Sequence, residues 1–324
     1  MAADSSAREI TTVVDLNRGS RLLPAAVGWT RRPLHRTPLP SRGRTKRWEY
    51  WGVMTEQLAI GLTIADLDYA HLEQVYVARL DDGREWVADS IGPGPNRPPL
   101  PDDLPPFTTS SKRLSFAEEP GGRTRLTVGT DRVRAELVVD PGGESLGVVV
   151  PWSPKRFQYT LKDLARRVRG HLTVDQTTHD IDGWTVLDRG RGIWPYRMTW
   201  NWGAGSGVVD GTTIGLQVGG QWTDGTGVTE NALFVDGVAH YIGDDLHWTY
   251  DLGDPHAPWR VSGPRLDVTL TPRHRRVART NALVIASRTH QAFGQWSGWV
   301  EDSSGTRRRV DGLLGWAEEA RNRW

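Results

Sequence analysis

The chain has 324 residues and a formal net charge of +1, so charge gives no reason to expect binding to nucleic acid or to an anionic membrane surface. It contains no cysteine, which excludes disulfides, thiolate nucleophiles and thiolate metal sites. The polar N-terminus does not resemble a secretory leader, and no apolar run reaches the roughly 18 residues of a membrane helix. We therefore expect a cytoplasmic protein without a membrane span.

Strand and turn signals cover most of the chain. Six Asp-Gly pairs occur, several of them between alternating or β-branched runs, and this is the strongest short-range signal for a hairpin. The cleanest case is "NALFVDGVAHYI", residues 231–242. Together with 36 glycines, the pattern is typical of a β-sandwich or β-barrel. The Pro-rich segment 91–107 predicts a long loop within the first domain.

Helical periodicity is weak throughout the sequence. The segment "YTLKDLARRV", residues 159–168, is compatible with one or two helical turns. The last twelve residues, "LLGWAEEARNRW", predict a short C-terminal helix.

An internal repeat indicates two similar β units. The segment "YWGVMTEQLAIGLTI" from Tyr50 resembles "NWGAGSGVVDGTTIGLQV" from Asn201. Three additional residues in the second turn bring the two segments into register, which pairs Trp51 with Trp202. We expect one β domain over residues 1–175 and a second over residues 176–324.

Several long motifs resemble one bacterial family. They are "KRWEYW", "LDRGRGIWPYRMTWNW", "GGQWTDGTGVTEN", "HQAFGQWSG" and the terminal "GWAEEARNRW". The family is the domain of unknown function 2804, and the resemblance extends from Gly28 to Trp324. More distantly, the chain is similar to the paired lipocalin-type barrels of carotenoid 1,2-hydratases and tocopherol cyclases. This resemblance implies an all-β protein of two tandem lipocalin-like (calycin-type) β-barrels or half-barrels around an apolar ligand cavity. It implies no particular reaction, because sites and not folds determine function.

The sixteen tryptophans are compatible with a thick aromatic β core and equally with a cavity for a flat ligand, since each offers a large apolar surface and an N–H group. Alternation along "RMTWNWG" places Met198, Trp200 and Trp202 on one face of a strand. The internal repeat then predicts that Glu49 and Trp51 occupy the equivalent face of the first unit. The predicted ligand-binding residues are Trp51, Trp194, Tyr196, Trp200, Trp202, Trp222 and Asn231.

Three carboxylates are candidates for catalysis: Asp224, Glu230 and Glu49. A carboxylic acid that is held protonated in an aromatic cavity could protonate an alkene, and tryptophan faces could stabilise the resulting cation. The structural alternative is that Asp224 forms a turn with the following glycine and that Glu230 and Asn231 bind nearby backbone groups. For Glu49, the alternative is a pair with Arg47 or another arginine.

Other motifs carry less functional information. Arg189 or Arg191 could clamp a ligand carboxylate or phosphate, but the same segment is compatible with a β-bulge in which Asp188 pairs with an arginine. The nine histidines show no metal-binding spacing, and no phosphate-binding loop is present. We therefore expect neither a metal nor a cofactor.

Three classes of function remain compatible with the sequence. The first is a protein that binds an apolar, isoprenoid or lipid-like small molecule. The second is a cofactor-independent hydratase, isomerase or cyclase that uses a buried carboxylic acid on such a ligand. The third is a carbohydrate-binding or glycoside-cleaving protein, against which a closed barrel and a cytoplasmic location both argue. The sequence does not determine the oligomeric state.

Overall fold

The computed structural model describes residues 7–94, 100–282 and 285–323. These residues form β-strands almost throughout and divide into two compact units. The N-terminal unit is Ile10–Trp194, and the C-terminal unit consists of the chain from Pro195 onward together with the described residues before Ile10. Each contains one large curled half-barrel sheet, which confirms the predicted all-β fold of two half-barrels. The only helix in the described residues is a three-residue 3-10 turn, Pro24–Ala26, so no described helix could span a membrane.

The N-terminal unit contains sixteen strands. Its first five strands are short: β1 (Val14–Asp15), β2 (Asn17–Arg18), β3 (Arg21–Leu22), β4 (Gly28–Thr30) and β5 (His35–Arg36). The others are β6 (Thr45–Met54), β7 (Leu58–Asp66), β8 (Ala70–Arg79), β9 (Glu85–Pro93), β10 (Thr108–Ser110), β11 (Leu114–Glu118), β12 (Thr124–Gly129), β13 (Val133–Val139), β14 (Leu146–Ser153), β15 (Arg156–Val174) and β16 (Thr177–Ile193).

Ten of these strands are hydrogen-bonded in the order β10-β11-β12-β13-β15-β16-β6-β7-β8-β9, and β14 joins β15 to β4. Alternating burial along β13, where Val133, Leu137 and Val139 are buried and Arg134 is exposed, shows why the sequence forms strands with one core-facing side. The long strands β15 and β16 form a hairpin whose turn contains residues 175 and 176. The predicted Pro-rich loop begins within β9, and its residues 95–99 lie outside the described residues.

The C-terminal unit contains ten strands. They are β17 (Arg197–Val209), β18 (Thr212–Gly220), β19 (Asn231–Val235), β20 (Val238–Ile242), β21 (His247–Thr249), β22 (Trp259–Gly263), β23 (Leu266–Ala282), β24 (Ile285–Glu301), β25 (Arg307–Arg309) and β26 (Leu313–Arg323). Their order is β20-β19-β18-β17-β26-β24-β23-β22-β21, and β25 pairs with β24.

The predicted C-terminal helix is wrong, because residues 313–323 form strand β26. This strand lies between β17 and β24 and pairs with both along its length. Sheet pairing on both sides outweighs the local helix preference of "GWAEEARNRW". Residues 159–168, which the sequence allowed to form one or two helical turns, also form no helix, because they lie within β15.

A row of three glycines shapes the interior of the C-terminal unit. Gly205, Gly315 and Gly294 lie directly opposite one another on β17, β26 and β24. The ring of Trp296 packs against Gly205, where a Cβ atom would lie 2.5 Å from its Cδ1. The indole N–H of Trp296, which is fully buried, donates to the carbonyl of Ala204 at 3.1 Å. At Gly294 and Gly315 a Cβ atom would instead meet the backbone of a neighbouring strand. The missing side chain of Gly205 leaves room for the tryptophan in the core.

Replacing Gly205 with alanine should therefore destabilise the protein by about 1–3 kcal/mol, because the added methyl group overpacks the core around Trp296. Urea unfolding would measure this change. Gly129→Ala is the matched control, since it adds a methyl group in β12 with no atom within 4 Å, and it should change stability by less than about 0.5–1 kcal/mol. Equal effects of the two substitutions would contradict the packing account.

Candidate functional site

Three polar residues lie side by side on the inner face of the C-terminal sheet. Asn201 on β17 pairs with Glu319 on β26, which pairs with His290 on β24. Residues that are directly paired across strands share a face, and Asn201 shares its face with Gly203 and Gly205, which contact Trp296 of the core. The three side chains are 1%, 5% and 3% exposed. We call them the polar row.

Aromatic rings stand beside the polar row. Tyr250, in the loop between β21 and β22, stacks on Trp259 with ring centroids 4.1 Å apart and an interplanar angle of 12°. Trp248 lies over Gly220, where a Cβ atom would be 2.8 Å from its indole nitrogen, and it donates to the carbonyl of Gly219 at 3.2 Å. We call Trp248, Tyr250 and Trp259 the aromatic wall. The unit thus places aromatic faces next to buried polar groups.

Tyr250 connects the aromatic wall to the polar row. Its hydroxyl donates to Oε2 of Glu319 at 2.5 Å and accepts from Nδ2 of Asn201 at 3.2 Å. Glu319 also accepts from Nε of Arg321 at 2.7 Å. Burial and the bond to Glu319 raise the pKa of Tyr250 to about 12. Burial alone would raise the pKa of Glu319, but the bonds from Arg321 and Tyr250 outweigh it and lower that pKa. At neutral pH the pair is a neutral phenol and a carboxylate.

The third member of the row has a defined tautomer. An NH2 group of Arg275 lies 2.7 Å from Nδ1 of His290, and a guanidinium can only donate. Burial, followed by the charges of Arg275 and Arg288, lowers the pKa of His290, so the ring is neutral and carries its proton on Nε2. Among the described residues, neither Nε2 of His290 nor Nε of Arg275 has a hydrogen-bond partner.

Chemically, this arrangement offers a proton donor, a proton acceptor and an unused N–H group beside aromatic rings. Within the described parts of the chain, no three His, Asp or Glu side chains are grouped so that they could hold a metal ion. The phenol, the carboxylate and the imidazole of this arrangement are groups that can take part in acid–base chemistry.

The candidate Glu49 lies elsewhere, inside the N-terminal unit. It is 2% exposed, and its Oε2 accepts from Arg189 at 3.2 Å and from Thr109 at 2.9 Å. Its Oε1 accepts from the indole of Trp51 at 3.3 Å. Both oxygens are engaged, and the ionic partner is Arg189, which agrees with the structural alternative for this residue.

Arginines of the N-terminal unit hold the end of the Pro-rich segment. Arg47 binds both carboxylate oxygens of Asp102 at 3.0 and 2.9 Å. Arg191 donates to the carbonyl of Pro101 at 3.0 Å, and the Arg189 guanidinium lies 3.6 Å from the ring centre of Phe107. These arginines are occupied by the protein's own chain.

The two carboxylates predicted to act together are in different surroundings. Asp224 is exposed in a turn, where its Oδ1 accepts from the backbone N–H of Gln221 at 2.9 Å. Partial burial raises its pKa, and the Gln221 bond opposes this. Glu230 is 2% exposed and accepts from the indole of Trp222 at 2.6 Å. Glu230 is thus a buried carboxyl that accepts from a tryptophan N–H, whereas Asp224 has the geometry of a turn residue.

The predicted equivalence of Trp51 and Trp202 is wrong. Trp51 lies in the apolar core of the N-terminal unit. Gly203, next to Trp202, faces the core at Trp296, with a Cβ position 2.8 Å from that ring. Successive residues of a strand point to opposite faces, so Trp202 lies on the side away from the core. The internal repeat pairs Trp51 with a residue that is three positions away from its structural equivalent. A shift by an odd number of residues moves a side chain to the opposite face of a strand.

The remaining predicted ligand-binding residues are divided between the units. The three indole N–H groups have protein acceptors: Trp194 donates to Gln158 at 2.6 Å, Trp200 to Glu318 at 2.9 Å and Trp202 to Gln217 at 2.9 Å. Asn231 donates to the Asp244 carbonyl at 2.9 Å and accepts from the Gly219 N–H at 2.7 Å. Tyr196 is half-buried in the connection between β16 and β17. Trp51 and Trp194 belong to the N-terminal unit and the others to the C-terminal unit.

Sequence reasoning missed Tyr250, Glu319 and His290. The histidine was set aside because it lacks metal-binding spacing, and Glu319 lay in the predicted helix. One signal was available: in a strand reading of "GWAEEARNRW", Glu318 and Glu319 point to opposite faces, so one of two adjacent carboxylates must face the interior. The pairing of Glu319 with a tyrosine 69 residues away has no signal in the sequence.

A scan against family models matches residues 7–324 to the domain of unknown function 2804. The chain belongs to this family. A search of curated proteins gives no match.

Solved structures share the fold at low sequence identity. An AttH-type protein from Nitrosomonas europaea has a TM-score of 0.59 and 15% identity, covering 85% of this chain and 92% of that one. Kievitone hydratase from Nectria haematococca has a TM-score of 0.53 and 12% identity, covering 87% and 89%. CghA in complex with Sch210972 has a TM-score of 0.52 and 14% identity, covering 90% and 89%. These similarities establish the fold alone.

Replacing Glu49 with glutamine should destabilise the protein by about 3–5 kcal/mol, because it leaves the Arg189 guanidinium buried without its counter-charge. Urea unfolding would measure the loss. Glu144→Gln is the control, since Glu144 pairs with Arg31 at 2.8 Å but both side chains are about 30% exposed, and it should cost under about 1 kcal/mol. Similar losses for both variants would contradict the assignment of Glu49 as a buried structural ion pair.

The phenol of Tyr250 should lose its proton at a higher pH than an ordinary tyrosine. Its pKa in the folded protein, about 12, lies above the unfolded value near 10, so its stabilising contribution is complete below pH 10 and is lost as the pH rises through 12. Subtracting the ultraviolet pH titration of Tyr250→Phe from that of the wild type should isolate one tyrosinate with a midpoint near 12. A midpoint near 10 would show that the bond to Glu319 does not persist in solution.

Proposed function

We propose that the C-terminal unit binds a small, largely apolar molecule and catalyses a proton-transfer reaction on it without a cofactor, in the class of hydration, isomerisation or cyclisation. The single observation that carries this proposal is the short Tyr250–Glu319 hydrogen bond, at 2.5 Å, on the core-facing side of the sheet. A neutral acid and a carboxylate base in direct contact are the parts that such a reaction needs.

The pair can exchange a proton internally. Glu319 takes a proton from the substrate or from water, and Tyr250 gives one to another position on the substrate. The hydrogen bond between them then returns the proton from Glu319 to the phenol oxygen, so the pair ends in its starting state. Arg321 holds the carboxylate, and Asn201 holds the phenol oxygen; both keep the two groups in line.

The surroundings suit an apolar substrate. The aromatic wall of Trp248, Tyr250 and Trp259 offers flat faces beside the polar row, and the core cluster of the same unit includes Trp259 and Trp296. Aromatic faces bury large apolar area and stabilise positive charge that develops on a bound carbon skeleton. Two proteins of similar fold support the class: one is named a hydratase, and another was solved with a bound compound.

Removing either member of the pair should abolish turnover while the fold persists. The first step is native mass spectrometry of the purified full-length protein, with extraction and identification of any apolar adduct. That compound is then incubated with the wild type, Tyr250→Phe and Glu319→Gln in H2(18)O or D2O, and product formation is followed by mass spectrometry. We expect both variants to lose on the order of 100-fold or more in rate, the usual contribution of a general acid or base.

The matched control is Tyr76→Phe, which removes a Tyr–Glu hydrogen bond of similar length, 2.8 Å to Glu85, in the N-terminal unit. It should leave turnover unchanged. A stoichiometric adduct that the wild type does not convert would identify a carrier and contradict the catalytic proposal. A protein that carries no adduct and binds none of a set of apolar alkenes would contradict the ligand site as well.

A further inference from the structure

His290 lies in the polar row and carries an N–H group with no acceptor in the part of the chain that the structure describes. Its Nδ1 accepts a hydrogen bond from Arg275 at 2.7 Å, so the proton of the neutral ring is on Nε2. The residue is 3% exposed, and within the described residues its Nε2 has no acceptor. A buried donor without a partner costs free energy, and a bound molecule that offers an acceptor at this point would remove the cost.

The position of this N–H relative to the acid–base pair restricts the kind of acceptor. His290 is directly opposite Glu319 on the neighbouring strand, and Tyr250 contacts the same carboxylate. An oxygen held by His290 is therefore within a few bonds of the carbon atoms that exchange protons with the pair. A carbonyl conjugated to a carbon–carbon double bond has this spacing, and its oxygen gains negative charge when a nucleophile adds to the double bond.

We infer that the substrate carries a carbonyl oxygen conjugated to its alkene, and that the Nε2–H of His290 binds this oxygen. The inference rests on the proposed function and specifies its substrate class as α,β-unsaturated carbonyl compounds. Arg275 is a positioning residue, because its bond to Nδ1 fixes the tautomer that presents the N–H. A preorganised donor at a developing oxyanion is an effective way to lower a reaction barrier.

For the addition of water, the step balances as follows. The Glu319 carboxylate removes a proton from water, and the water oxygen bonds to the β-carbon. The electron pair of the double bond moves toward the carbonyl, whose oxygen becomes an enolate oxygen bound by His290. Tyr250 then protonates the α-carbon, the carbonyl reforms, and the proton on Glu319 passes to the phenolate. The product is a β-hydroxy carbonyl compound, and no oxidant, reductant or cofactor is consumed.

Two probes with the same carbon skeleton test the inference. They are 4-phenylbut-3-en-2-one, which has the carbonyl, and 1-phenylbut-1-ene, which does not. Equilibrium dialysis against the full-length protein gives the dissociation constant of each. We expect His290→Leu to weaken binding of the ketone by roughly three- to tenfold, the effect of one hydrogen bond, and to change binding of the hydrocarbon by less than about twofold.

Further variants separate binding from folding. His290→Gln places an amide N–H near the position of Nε2 and should keep ketone binding within about threefold of the wild type. His240→Leu is the control, since His240 belongs to the same unit and bonds to Ser303 instead; it should affect neither probe. If His290→Leu weakens both probes equally, or neither, the inference is wrong. If the wild type binds neither probe, the proposed function fails with it.

Discussion

The central constraint on this protein is that a carboxylate on the inner face of a curled sheet needs donors, and the kind of donor decides what the carboxylate can do. Glu49 faces the Arg189 guanidinium at 3.2 Å, a permanent cation, so protonating it would break a buried ion pair. Glu319 also pairs with an arginine, Arg321 at 2.7 Å, but that side chain is 64% exposed, and a neutral phenol donates to the other oxygen of Glu319 at 2.5 Å. A phenol can exchange its proton with the carboxylate and an arginine cannot, so the two buried glutamates differ in the proton transfers that their donors allow.

The same requirement explains the many tryptophans. An indole N–H that is buried needs an acceptor, and several here find one in a glutamate or glutamine side chain: Trp200 in Glu318, Trp202 in Gln217 and Trp222 in Glu230. Such pairs satisfy the tryptophan and the polar partner at once. Tryptophan enrichment in this sequence therefore reflects satisfied polar pairs as well as aromatic surface.

The features that could be predicted from the sequence are those that depend on neighbouring residues in the chain. Asp-Gly turns and alternating burial, as in β13, are local properties, so the all-β fold and its two half-barrels were predictable. Strand β26 was not, because its helical composition is local whereas its place between β17 and β24 is set by distant strands. Strand register is also non-local, and an error of three residues in it assigns Trp202 to the wrong face. The hydrogen bond between Tyr250 and Glu319 depends on the strand assignment of β26 and on its register, so it could not be predicted.

The charge state of His290 affects how strong a base Glu319 is. A protonated His290 opposite Glu319 would place a buried positive charge beside the carboxylate, in addition to the exposed Arg321, and would weaken it further as a base. Burial is the main cause that lowers the pKa of His290, and the charges of Arg275 and Arg288 lower it further. The donation from Arg275 to Nδ1 then leaves the proton of the neutral ring on Nε2. Glu319 and His290 lie on adjacent sheet strands, β26 and β24, while Tyr250 comes from a loop and is held by its stacking on Trp259. The base and the N–H donor are thus placed by the sheet and the acid by a loop, a common arrangement of functional residues on a scaffold.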